Sequence, residues 1–171
     1  RSEDDGLAKF VGRGNRMGLL NRDVPGLDVD RVMIDNRAGA RAAIEHLVQL
    51  GHRRIAYITG RQEISTVSER LAGYQDALTA HGITPDPRLV CRVEIDVEAA
   101  TSATRKLLER RQRPTAVFAY NDLMAVGALV AIHAAGLRVP EDISLVGHDD
   151  ILYAPYLQVP LTTVAQPTRE M

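Results

Sequence analysis

From Arg53 onward the chain alternates short runs rich in β-branched and aromatic residues with stretches of helical period. That alternation is the pattern of βαβ units, and it predicts an α/β fold: a parallel sheet flanked by helices. The first run, "RIAYIT", spans Arg54 to Thr59, and a helix is expected from about Thr66 to His81. Leu71, Tyr74 and Leu78 fall on one face of it at spacings of three and four, and Gly82 is placed to end it. "LVCRVEI" reads as a second strand, Asp96 as an N-cap, and "VEAATSATRKLLERR" as a helix whose basic residues gather in the last turns, where the dipole favours them. "TAVFAY" is a third strand. Asn121 or Asp122 caps the next helix, which runs through Ala135 to Gly136, and "ISLVGHD" is a fourth strand after the turn at Pro140.

The first fifty or so residues follow the same grammar in a shorter piece: helix "DDGLAKFVGRG", strand "MGLL", a turn-rich stretch, strand "RVMID", and a helix from Ala38 to Leu50 ended by Gly51. Two strands and two helices do not close a layered structure alone, so residues 1–51 read as part of one lobe, 52–164 as a second lobe, and 165–171 as a crossover back toward the first. The chain begins at Arg1 without a methionine, and a fragment of a longer protein is expected.

Charge and composition remove several classes of function. A formal charge of -1 provides no basic face for gripping phosphates, so this stretch is not expected to bind nucleic acid by itself. The lone Cys91 excludes an internal disulfide. No run approaches the roughly 18 apolar residues of a membrane span, and the start "RSEDDGLAKF" lacks a signal peptide's apolar stretch.

The motifs of catalysis and cofactor binding are missing or misplaced. "GRGNRMG", Gly12 to Gly18, has the wrong glycine spacing for a dinucleotide fingerprint and stands between a helix and a strand, whereas a phosphate cradle needs its amides at a helix start. His46, His52, His81, His133 and His148 never fall in a zinc-binding helical spacing, so neither metal nor cofactor is expected. His148, Asp149 and Asp150 are adjacent, and alternation along a strand predicts that neighbours point to opposite faces. No strained strand-to-helix elbow presents a serine nucleophile. Ser65 and Thr66 stand at a helix start, where N-capping and ligand contact are both open readings.

A binding cleft fits the residues better. Each strand from Arg54 onward runs C-terminally into polar residues: Thr59 to Thr66, then Asp96, then Asn121 and Asp122, then Asp149 and Asp150. Open α/β sheets take ligands at that edge.

The order of "VDRVMIDNRAGARAAIEHLVQLGHRRIAYITG", "SERLAGYQDAL", "PTAVFAYNDLMAVGAL", "GLRVPEDISLVGHDD" and "PLTTVAQP" resembles the effector-binding part of the lactose-repressor/galactose-repressor (LacI/GalR) family of bacterial transcription regulators. The resemblance covers nearly the whole chain from about Asp5. It implies a periplasmic-binding-protein-like type I fold of two lobes with the N-terminal one incomplete here, a small polar effector such as a sugar between them, a homodimer, and a cytoplasmic regulator without enzymatic activity. It further implies operator DNA bound through a helix-turn-helix outside this chain. A secreted sugar-binding protein of a transport system shares the fold and is the alternative.

By position, the resemblance assigns ligand contact to Thr66 and Arg70 beside the R-L-A-G motif, Asn121 of the N-D pair, Asp149 of a motif usually written G-[FY]-D-D, and Gln166 after T-T-V-x. Ile95 stands where several members present an aromatic platform, so a ring cannot stack there in the same way. His148 replaces the aromatic before Asp149, as a packing substitute or as a hydrogen-bonding group.

Overall fold

A computed structural model describes residues 3–60 and 64–168. Residues 61–63, within the polar stretch after the first long strand, and 169–171, the end of the expected crossover, lie outside the described residues.

The elements in chain order are α1 (Glu3–Gly12), β1 (Gly18–Leu20), β2 (Asp30–Val32), α2 (Asn36–Gln49), β3 (Ile55–Thr59), α3 (Ser65–Ala80), β4 (Val90–Arg92), α4 (Val97–Leu108), β5 (Ala116–Ala119), α5 (Asp122–Ala134), β6 (Ser144–Asp149) and β7 (Thr162–Ala165). Five strands form one all-parallel sheet in the order β4-β3-β5-β6-β7. β1 and β2 pair separately, also in parallel. The fold class read from the alternation is therefore the observed one.

β3 ("IAYIT") and β5 ("AVFA") are buried at every position because helices cover both faces of the sheet. α2 packs on α3, and α4 packs on α5. Both pairs approach closely through one small residue: a Cβ at Gly73 would collide with the Arg37 carbonyl, and a Cβ at Gly127 with that of Val97. Within the sheet layer Tyr57 stacks between Phe118, at 4.8 Å, and Tyr74, at 5.3 Å.

The apolar side of α2 (Ala40, Ala43, Ile44, Leu47) lies in the same core as β3, β5 and β6. The boundary drawn after Gly51 thus runs between two elements that share a core. A second, small cluster of Leu19, Val24 and Leu27 underlies β1 and β2, with Leu7 and Val11 of α1 packed against it. β7 is a strand the periodicity did not reveal: "TTVA" is an edge strand with no fully buried residue.

Candidate functional site

The chain leaves β3 through α3 to reach β4 on one side, then returns through α4 to β5 on the other. The loops that follow β3 and β5 diverge, leaving the crevice at which open α/β sheets accept ligands. Polar side chains from five elements meet around it.

Arg70, on the second turn of α3, is the largest fully buried side chain, with 2% of its surface exposed. Its Nε donates to Asn36 Oδ1 at 3.0 Å, Nη1 to the Tyr120 carbonyl at 2.5 Å, and Nη2 to Asp149 Oδ1 at 3.2 Å. The guanidinium also lies 4.6 Å from the centre of the Tyr120 ring. A buried cation survives here because each face of the fork has an acceptor and a carboxylate balances the charge. Burial to this degree sets Arg70 apart from the usual solvated surface arginine.

Asp149 ends β6 with φ at 117°, a conformation few non-glycine residues adopt. This twist breaks strand alternation. The carboxylate turns back so that His148 Nδ1 lies 3.0 Å from Asp149 Oδ1, although adjacent strand residues are expected to diverge. Gln166, just beyond β7, donates from Nε2 to the same oxygen at 2.5 Å. Burial pushes the Asp149 carboxyl up, but the His148 hydrogen bond, the Arg70 charge and the Gln166 amide outweigh it and hold it below the usual range. A lowered folded-state value means that ionised Asp149 stabilises the fold above about pH 4, and that this contribution is lost as pH falls through the lowered value.

Thr66 and Ser65 do not cap α3. The N-cap is Ile64, without a side-chain bond; Thr66 Oγ1 instead meets the Tyr120 hydroxyl at 2.6 Å, and Ser65 Oγ accepts from the Asp23 amide at 2.9 Å. Asn121 does cap α5, accepting from the Met124 amide at 2.9 Å, so its amide NH₂ remains free of partners among the described residues. Ile95 sits on the flank, folded over the end of β3: a Cβ at Gly60 would lie 2.7 Å from its Cδ1. Thr66, Arg70, Asp149 and Gln166 thus form one network closed by Tyr120, with Asn121 adjacent in sequence, while Ile95 stands beside it.

Three members escaped the sequence reading. Asn36, fully buried at the start of α2, donates to Asn21 Oδ1 at 2.8 Å and to Glu69 Oε2 at 3.0 Å while accepting from Arg70, so it ties the end of β1 to α3. Tyr120 supplies both a carbonyl and a hydroxyl, and Glu69 accepts from Asn36. The available signal was the pair Asp35–Asn36, which sits at a strand-to-helix turn as Asn121–Asp122 does. Among the described residues no group of three or more His, Cys, Asp or Glu side chains is placed to hold a metal, and no helix is long and apolar enough to cross a membrane.

Comparison with known proteins gives this geometry its context. Residues 44–171 match the family described as periplasmic binding protein-like domain. The HTH-type transcriptional repressor CytR of Escherichia coli is 41% identical over 155 residues, covering 91% of this chain and 46% of the repressor. The HTH-type transcriptional regulator CelR of Thermobifida fusca is 41% identical over 168 residues, covering 98% of this chain and 48% of that protein. The chain therefore spans about half the length of these relatives. Among solved structures, a LacI-family regulatory protein from Chloroflexus aggregans superposes with a TM-score of 0.89 at 32% identity, over 98% of this chain and 60% of that one. A CelR–cellobiose complex superposes with a TM-score of 0.85 at 36% identity, over 99% of this chain and 60% of that one. These relatives are regulators, neither enzymes nor transport proteins. The chain belongs to the periplasmic binding protein-like domain family and, within it, to the effector-binding domains of the LacI/GalR regulators.

Proposed function

We propose that this chain is the sensory part of a cytoplasmic transcription regulator, binding a small polar, sugar-like effector at the C-terminal ends of β3, β5 and β6. Arg70, Thr66, Asn121, Asp149 and Gln166 hold the ligand, and Ile95 offers an aliphatic flank to it. The observation that carries this reading is the pair of buried Arg70 and part-buried Asp149 beside the switch point, with Asp149 Oδ2 and the Asn121 amide left without partners among the described residues. One free acceptor and one free donor beside an aliphatic wall match a polyhydroxylated ligand. The CelR relative whose structure holds cellobiose supports the ligand class.

Residues 1–51 and 52–164 form parts of two lobes in this reading, with α2 packed into the second and 165–171 crossing back. An effector that binds the closed arrangement more tightly shifts the population toward it. Coupling of about 1 to 3 kcal/mol changes operator affinity roughly 5- to 150-fold, through a helix-turn-helix outside this chain. The test is a thermal-shift screen of the intact protein against mono- and disaccharides and nucleosides. A stabilising compound whose effect disappears in Asp149→Asn supports the reading; one whose effect persists unchanged in that variant places the ligand elsewhere.

The same reading includes a homodimer. Leu152, Tyr153 and Tyr156 stand 76%, 68% and 80% exposed after β6, and Leu123 and Val130 are exposed seven residues apart on one side of α5. Asp122 Oδ2 accepts from the Ile151 amide at 2.9 Å, which ties the start of α5 to the segment that carries Leu152 and Tyr153. The double variant Tyr153→Asp/Tyr156→Asp is expected to sediment as a monomer with its fold intact. A dimer of unchanged stability would remove this surface from the interface.

A further inference from the structure

His148 is the point at which this chain departs from the aromatic of the G-[FY]-D-D motif, and its surroundings assign the ring a task. The ring is 1% exposed and wedged against α2: a Cβ at Gly39 would lie 2.9 Å from His148 Nε2 and 3.3 Å from Val164 Cγ1. The residue also lines a cavity of about 370 Å³ between the end of β2 with the segment entering α2 (Val32, Asp35) and β7 with the segment leaving it (Val164, Pro167). The other ring nitrogen, Nδ1, meets Asp149 Oδ1 at 3.0 Å. An ionised carboxylate only accepts, so the proton of this contact belongs to Nδ1.

Shape alone explains a ring in that slot, but it does not explain the second half of the geometry. Asp149 meets Nδ1 from a backbone held at a φ of 117°. The strain of a non-glycine residue there is offset by bonds that need the turned-back carboxylate, those to His148, Arg70 and Gln166. All three donors converge on Oδ1, and no described residue donates to Oδ2. Arg70 and Gln166 approach from α3 and from beyond β7, while His148 fixes the carboxylate from within its own strand.

We propose that His148 is a positioning residue of the effector site: its Nδ1–H pins Asp149 Oδ1, so that Oδ2 is the oxygen offered to a hydroxyl or N–H donor of the ligand. The inference rests on the reading of Asp149 as an effector contact, and it specifies the chemistry of that contact. A ligand placing an anionic group against Oδ2 is rejected, and one with a donor there is selected.

The test needs no effector, so its failure is separable from a failure of the functional reading. The Asp149 carboxyl is followed by carbon NMR of the intact, aspartate-labelled protein across an acid titration, in wild type, His148→Phe and His148→Asn. Phenylalanine restores the aromatic volume of the motif without a donor. Asparagine gives up the ring but carries an amide N–H one bond from Cγ, as Nδ1 is. Removing a donor from a carboxylate raises its midpoint, so His148→Phe is expected to move Asp149 upward by about one pH unit, while His148→Asn stays near wild type. A ring that serves only for packing gives the opposite ranking, with Phe silent and Asn perturbed, and overturns the proposal, as does an equal response of both variants. Nitrogen NMR of the wild-type imidazole supplies a check free of any substitution: a proton on Nδ1 supports the assignment, and a bare Nδ1 overturns it.

Discussion

Arg70→Met is expected to cost about 3–5 kcal/mol of folding stability and to abolish the response to effector. The size follows from what is left behind. Methionine fills much of the volume, but Asn36 Oδ1 and the Tyr120 carbonyl lose their donor in the buried part of the site, and Asp149 Oδ1 loses its counter-charge at the part-buried edge. Asp149 keeps the His148 and Gln166 bonds but loses its only guanidinium partner among the described residues, which is the most costly of the three losses. Arg70→Lys separates charge from shape: a lysine ammonium is a point charge and cannot present a planar fork to acceptors on three different elements. It is expected to recover part of the stability and little of the ligand affinity. Urea unfolding and effector titration on the two variants measure these outcomes, and a lysine variant with full affinity would reduce Arg70 to a counter-charge.

Asp122→Ala is the second large effect, at about 3 kcal/mol, although this residue lies outside the proposed contact set. Its carboxylate is fully buried at the start of α5, accepting from Thr163 Oγ1 at 2.6 Å and from the Ile151 amide at 2.9 Å. It also fills the space over Gly147, where a Cβ would strike Oδ1. Alanine strands two part-buried donors and frees the segment that follows Asp149, so effector affinity is expected to fall together with stability. The pH dependence carries a definite sign. Burial pushes the Asp122 carboxyl up, against the hydrogen bonds from Thr163 and Ile151, and the nearby Asp149 charge adds to the rise. A raised folded-state value makes the contribution of Asp122 greatest below the ordinary carboxylate range near pH 4 and smaller as pH climbs through the raised value. The stability gap between wild type and Asp122→Ala is therefore expected to narrow from acid toward neutral pH in denaturant titrations.

What could be read from the sequence followed from burial on both faces. β3 and β5 are near-continuous apolar runs because helices cover them, and the caps Asp96 and Asn121 announce α4 and α5 by side chains that do accept from the helix amides. β4 was overrun, since the strand itself covers only Val90–Arg92 of the expected Leu89–Ile95, with one further bond from the Val93 amide to the Thr59 carbonyl. β7 was invisible because an edge strand of threonines and alanine carries no buried period. Arg70, Asp149 and Gln166 were named through the family resemblance, and their meeting on one carboxylate oxygen depends on a backbone twist at Asp149 that no pattern of residue types encodes. Asn36 was missed for a related reason: a buried polar residue at a helix start leaves no trace in periodicity, only in the partners that satisfy it.

The strand order β4-β3-β5-β6-β7 also governs when the pocket comes into existence. The central strands β3 and β5 and the helices that cover them are complete by Ala134, and neighbouring contacts there close over modest chain separations. The carboxylate clamp waits for Gln166, which follows the last strand to join the sheet. On the ribosome, where segments fold as they emerge, the layered scaffold is thus assembled before any complete ligand site is present. On the proposed function, an effector is expected to stabilise the folded chain but to find no complete site on the nascent one, so effector supply is expected to alter the lifetime of the folded protein rather than the yield of its synthesis.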